Sequence, residues 1–457
     1  MAALTSCHTL RVQMTRTSGR VRSVAAVGAW LLLAGAVQAC GRSEHGVSRE
    51  DAGTTAGDWI YGTPTWSVLS SPASDGTRIF VVMGEREQQK PSSIAEDFAS
   101  PPGPQPYNVR RVVLVALDLA GRELWLHEIC RSQPRPPSGP AVTLDGHVIV
   151  TCAGIGYRIE AASGIERSSV SLPAAEGNLA LANDGSVAIL APYRETVEDE
   201  AGHAFYSSAL LFYLEPNLTT RWTKVVGFTT GRDLPLFTRL SSLAAPLIDA
   251  RGDVYALCDT CEPPADRGPT NGDPASFSRF DGTTGDPTAL VALDAGPTTF
   301  GMSAGGTEQR LYFTANGWLY ALAADGTSSR TLPSGDTFLV ADEGPVFLTP
   351  PGDAPALRIG DQRIPLEAEG SVTVPAGPRA IGAGAVLMSD GRWIDGNGDV
   401  AARVDDLDPA SAPLLLGDLF VARTKDQRLH GTVSGPTWGA APWPFLAGDE
   451  RAARTVP

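Results

Sequence analysis

An all-β chain closed into a ring of eight four-stranded sheets is what this sequence predicts, on three observations. A phrase of roughly 40 residues recurs from residue 67 onward, the period expected of a propeller-like array. Each copy sets a turn glycine before a short run of β-branched or aromatic residues, the usual strand signal. Most copies then carry a further run that ends on an acidic residue shortly before a second glycine, which suits a tight turn because glycine supplies the positive φ. Four short strands per repeat build a β-propeller. Eight blades is the count, with seven as the alternative, because the sixth and eighth copies lack a clear third strand.

The elements follow in order. The first turn glycines are Gly76, Gly146, Gly185, Gly252, Gly306, Gly344, Gly384 and Gly417. The strands after them are Ile79–Val82, Val148–Val150, Val187–Leu190, Val254–Leu257, Leu311–Phe313, Val346–Leu348, Val386–Met388 and Leu419–Val421. Third strands with their turns run from Tyr157 to Gly164, Leu211 to Pro216, Phe280 to Gly285, Leu319 to Gly326 and Trp393 to Gly398. A ring must join its first and last blades, and doing so within one blade removes two open sheet edges. Part of 58–67, with its aromatic Trp59, Tyr61 and Trp66, is therefore expected as the outer strand beside Leu429 to Val433.

Ala116-Leu117-Asp118-Leu119-Ala120-Gly121-Arg122-Glu123-Leu124-Trp125 is the clearest third strand and turn. It resembles the Ala-x-Asp-x-x-x-Gly-x-x-x-Trp signature of the pyrroloquinoline-quinone-like (PQQ-like) propeller repeat family, with a turn one residue shorter. Gly164, Gly285 and Gly326 keep the turn glycine while most copies lose the tryptophan. Trp443 to Thr455 looks like the Trp-Pro-x-x-x-x-Asp segment at the ends of such propellers. The resemblance implies a propeller over 58–457 and says little about activity, since one fold hosts many functions.

Residues 1–40 read as a bacterial signal peptide with a lipobox. Arg16, Arg20 and Arg22 form a basic region, Val24 to Val37 an apolar one of about 14 residues, short of the roughly 20 needed to span a bilayer. Val37-Gln38-Ala39-Cys40 follows, with Cys40 as the lipid attachment residue; an ordinary signal peptide is the alternative. Met14 would open a more typical signal than Met1. Residues 41–57 are polar and without periodicity, a flexible tether. Gly41 beside the lipid cysteine lacks the acidic retention signal and favours the outer membrane.

Without residues 1–40 the chain keeps 32 basic against 51 acidic residues, a formal charge of −19. That balance argues against nucleic acid, whose binding rests on basic patches. Four cysteines remain for the exported protein: Cys130, Cys152, Cys258 and Cys261. An even number in an oxidising compartment suggests two disulfides, and position in the repeat pairs Cys130 with Cys152 and Cys258 with Cys261. A redox-active Cys258-x-x-Cys261 is the alternative; zinc is the weakest reading, for want of a spaced second pair.

Three copies carry insertions between second and third strands: Gly84 to Arg110, Tyr193 to Tyr206 and Glu262 to Ser276. Alternate hairpins emerge at alternate ends of a blade, so the three share one end, where binding function tends to live. Tolerated surface loops are the alternative. Enzyme signatures are lacking: no catalytic residue or metal site is expected, and the five histidines outside 1–40 make no ligand pattern. Asp395-Gly396-Asn397-Gly398-Asp399 resembles a calcium loop but falls where a strand turn belongs. The quinone dehydrogenases of the resembled family use adjacent cysteines, which this chain lacks. The expected function is a monomeric, lipid-anchored envelope propeller that binds other envelope proteins or surface polysaccharide, without a cofactor. A degenerate quinoprotein or other enzyme with its site in the central channel is the competing class.

Overall fold

The computed structural model describes residues 58–456 apart from 64, 87–108, 134–136, 173–177, 199–203, 230–245, 259–275, 293–299, 308–309, 316–317, 324–326, 334–337, 342–343, 350–355, 367–376, 383–384, 410–411 and 433–454. The described secondary structure is all β, in eight sheets that form the blades of a β-propeller. Blades 1 to 8 cover 66–133, 141–171, 178–229, 247–292, 300–333, 338–365, 378–403 and 414–432. Each is an antiparallel meander of four strands in sequence order, except that blade 8 takes its fourth strand from Trp59–Tyr61. First strands of successive blades touch one another along most of the ring, so the first strand of each blade is innermost.

The core lies between blades, and this explains the runs of continuous apolar residues. The second strand of blade 1, Arg78–Arg86, is buried on both faces. Phe80 and Val82 pack with Val148, Val150 and Ile159 of blade 2, while Ile79, Val81 and Met83 pack with Leu414, Val421 and Leu429 of blade 8. Alternate side chains thus serve two different cores, as the two-residue period of a strand requires. Blades 4 to 6 meet through aromatics: Phe277 and Phe313 stack with centroids 4.2 Å apart, and Phe313 and Tyr320 at 4.9 Å.

The ring closes through the amino-terminal strand as expected. Trp59, Ile60 and Tyr61 pair antiparallel with Gly431, His430 and Leu429, and Thr432 Oγ1 donates to Asp58 Oδ1 at 2.7 Å. Trp66–Val68 then opens blade 1. The third strands missing from the sequence reading are Ala356–Ile359 in blade 6 and Leu429–Thr432 in blade 8.

Two expectations are corrected. Gly306 does not make a turn; it lies in the strand Phe300–Thr307, which pairs directly with Arg310–Ala315. Tyr193 to Tyr206 is not an inserted loop but a lengthened hairpin, Val187–Glu198 with Ala204–Leu214, in which Thr196 and Val197 sit opposite Tyr206 and Phe205. These are strong β-formers in cross-strand register, and their pairing extends the ladder. The sequence placed no strand at the carboxy terminus, but Thr455–Val456 adds parallel to the innermost strand of blade 4, with Thr455 beside Ile248. The preceding segment from Trp443 falls outside the described residues.

Candidate functional site

The two ends of the blades differ sharply. First-to-second and third-to-fourth strand connections emerge at one end, and each spans two to six residues in every blade that has them. The other end carries second-to-third strand connections and the crossings between blades. There 22 residues separate Arg86 from Val109, 17 separate Cys258 from Ser276, 17 separate Thr229 from Leu247 and 12 separate Pro365 from Pro378. The expected first and third insertions therefore share this loop end with the long hairpin of blade 3.

The tight end is built by aspartates and glycines. Asp395 Oδ1 accepts from the backbone N–H of Asn397 and Asp399, and Asp281 Oδ1 from Thr283 and Thr284. These N–H donors hold both carboxyls below the usual carboxylate range. Asp395 to Asp399 is thus the turn expected on sequence grounds, with its carboxylate spent on the backbone. Three tryptophans tie neighbouring blades at the same end. Trp59 Nε1 donates to Leu119 O at 3.2 Å, Trp125 to Ala161 O at 3.0 Å, and Trp222 to Gly282 O at 3.2 Å. Each indole lies on a turn glycine of the next blade: Gly121, Gly164 and Gly285. A Cβ at any of the three would stand 2.4–2.7 Å from the ring, so these positions require glycine for close approach as well as for φ.

The loop end holds the candidate binding residues. Cys130 and Cys152 meet there, on the fourth strand of blade 1 and the end of the second strand of blade 2, with Cα atoms 6.0 Å apart and their sulfurs adjacent. That separation suits a disulfide. Beside them Glu128 bridges Arg111 and Arg131 at 2.6 Å each, and the two guanidinium groups hold its carboxyl low. Cys258 ends the second strand of blade 4 at the same end. Cys261 and Cys40, the expected lipid-attachment residue, lie outside the described residues.

Toward the channel, buried serines satisfy strand ends. Ser70 Oγ accepts from Val82 N–H and Ser138 Oγ from Thr151 N–H, both at 3.0 Å. The matching segments Ser70-Ser71-Pro72-Ala73 and Ser138-Gly139-Pro140-Ala141 are a repeat that could have been found in the sequence. Arg379 is the extra residue of a bulge in the innermost strand of blade 7 and is 7% exposed. Its Nε has no hydrogen-bond partner; burial lowers its pKa, opposed by Asp408. Asp408 is itself paired with Arg423 at 2.9 Å and accepts from Gln427 Nε2. The quinone of the resembled dehydrogenases finds no adjacent cysteines here: Cys130 and Cys152 stand on different blades at the loop end. Among the described residues no group of three His, Cys, Asp or Glu side chains is placed to hold a metal.

No protein-family profile and no curated protein matches the chain. Solved structures do. The computationally designed Ika8 protein is 13% identical, with a TM-score of 0.50 over 80% of this chain and 96% of that one. The crystal structure of BamB from Moraxella catarrhalis is 14% identical, with a TM-score of 0.46 over 81% of this chain and 99% of that one. The likeness is one of fold alone.

Proposed function

We propose that this protein is a lipid-anchored propeller of the cell envelope that binds an envelope protein or surface polysaccharide through the loop end of its blades. The observation that carries this is the segregation of connections: every described tight-end turn spans two to six residues, while the 22-, 17- and 12-residue connections all fall at the other end. Length at one end of a rigid scaffold is where recognition residues gather. The Arg111, Glu128 and Arg131 cluster and the Cys130–Cys152 pair lie beside the longest of these connections. In an oxidising envelope the two thiols form a disulfide that ties blades 1 and 2 there, and Cys258 with Cys261 pins the root of the third insertion.

Acylation of Cys40 supplies the anchor, each buried methylene contributing about 0.8 kcal/mol. The test is metabolic labelling with a palmitate analogue together with affinity purification of the acylated protein. Label in wild type but not in Cys40→Ser, with a discrete partner lost when 87–108 is shortened, supports the reading. A partner retained after shortening 87–108 and 259–275 overturns it.

A further inference from the structure

Among the described residues, five large apolar side chains are exposed: Leu119, Leu124, Leu144, Ile165 and Val400. All five stand at the tight end of their blades, and four belong to the neighbouring blades 1 and 2. Leu119 lies in the third-to-fourth strand turn of blade 1, and Leu124 is the second residue of the strand that follows. Leu144 sits in the first turn of blade 2, 66% exposed, and Ile165 in its last turn, 52% exposed. Neither residue is needed to make its turn, since Gly146 and Gly164 supply the positive φ. Single exposed apolar residues are ordinary, but four on two adjoining blades form a patch that calls for an occupant.

The route of the chain identifies that occupant. Trp59 begins the closing strand at the same end, and its indole N–H reaches the carbonyl of Leu119. The segment leading back toward Cys40 therefore leaves blade 8 beside the patch. Seventeen residues separate Cys40 from Asp58, a distance of about 25 Å for a flexible chain. A nine-residue strand such as Arg78–Arg86 spans about 30 Å, so a bilayer holding Cys40 lies closer to the tight end than to the loop end. Residues 41–57 cannot cover the patch themselves, because Val47 is their one large aliphatic residue. Of the nearby carboxylates, three are paired with arginine: Asp118 with Arg122 at 2.6 Å, Asp145 with Arg158, and Glu160 with Arg167 at 2.8 Å. Glu123, beside Leu124, accepts from the Tyr61 hydroxyl, and Glu166, beside Ile165, stands 3.9 Å from His127. The side chains of Arg122 and Arg167 are 81% and 50% exposed but are held in these ion pairs, so the apolar residues and the acyl anchor, not arginine charge, carry the contact with lipid.

We propose that the tight end of blades 1 and 2 rests on the lipid bilayer, with Leu119, Leu124, Leu144 and Ile165 at the boundary between headgroups and acyl chains. This rests on the reading of Cys40 as the lipid attachment residue, and it turns the loop end away from the membrane toward its partner. The test places a photoreactive amino acid at position 144, 165 or, as the loop-end control, 153. The purified full-length protein is bound to vesicles of phosphatidylethanolamine and phosphatidylglycerol, and mass spectrometry of the amino-terminal peptide reports acylation. Lipid adducts at 144 and 165 should exceed those at 153 by about tenfold, as shallow burial of aliphatic groups implies. Acylated, vesicle-bound protein with equal lipid adducts at all three positions overturns the proposal alone. Protein without acylation overturns the anchor and the proposal with it. Cross-links between copies of the chain at 144 or 165 would assign the patch to a dimer and overturn it as well.

Discussion

Gly431→Ala should unlock the ring. Trp59 lies between two glycines, Gly121 on blade 1 and Gly431 on the adjacent strand of blade 8. A Cβ at 431 would stand 2.1 Å from Trp59 Cε2, where no real Cβ fits, so the indole must leave. Its departure forfeits the hydrogen bond to Leu119, worth about 1 kcal/mol net. It also exposes a half-buried aromatic surface of about 100 Å², worth about 2.5 kcal/mol. The expected cost is about 3 kcal/mol, close to that of Trp59→Ala. The two effects share one cause, so Trp59→Ala with Gly431→Ala should cost no more than Trp59→Ala alone, a coupling of about 3 kcal/mol in a double-mutant cycle. Gly396→Ala is the control: its Cβ meets nothing within 4 Å and its φ is not positive, so a change within about 0.5 kcal/mol is expected. Urea unfolding followed by circular dichroism supplies the numbers. Additive costs, or a neutral Gly431→Ala, would refute closure by the amino-terminal strand.

Other expectations follow from the same geometry. Cys130→Ala should lower stability by about 3 kcal/mol, the chain-entropy value for a loop of 22 residues, and non-reducing peptide mapping should recover a Cys130–Cys152 peptide from wild type. Burial holds His430 below its usual pKa, against the pull of Asp58 and Asp426, and Arg428 adds to the depression. Its neutral form is therefore favoured in the folded state, and stability contributed by closure is present above the unfolded value of about 6.5 and lost as pH falls toward the lower folded value. His430→Gln should flatten that slope in thermal melts between about pH 7 and pH 5. Arg379→Met should leave stability unchanged or raise it by about 1–4 kcal/mol, because a buried guanidinium whose Nε is unpartnered is replaced by a group that packs. A fall of similar size would show that Arg379 supports the fold.

The second strands were the most legible part of the fold. They are buried on both faces, so each reads as an apolar run, as in Ile79–Val82 and Val187–Leu190. The third strands of blades 6 and 8 escaped for two reasons. Ala356–Ile359 has four residues and a two-residue turn, leaving no acidic-glycine signature. Leu429–Thr432 is followed by no hairpin turn because its partner comes from the other end of the chain. Gly306 misled because a glycine in strand and a glycine in a turn are indistinguishable by residue type alone. The glycines under Trp59, Trp125 and Trp222 were recognised as turn formers, yet their second role depends on which blades adjoin, a fact of ring order. The loop end was legible as uneven spacing between strands, whereas the buried Arg379 carried no sequence signal beyond its being an arginine after Pro378.

The central claim is a division of labour between the two ends of the blades. Photoreactive residues introduced in living cells at 153 and 425, both exposed at the loop end, and at 144, exposed at the tight end, test it most directly. A discrete adduct with an envelope protein or polysaccharide is expected from 153 or 425 and none from 144. An adduct of that kind from 144, with none from the loop end, would contradict it.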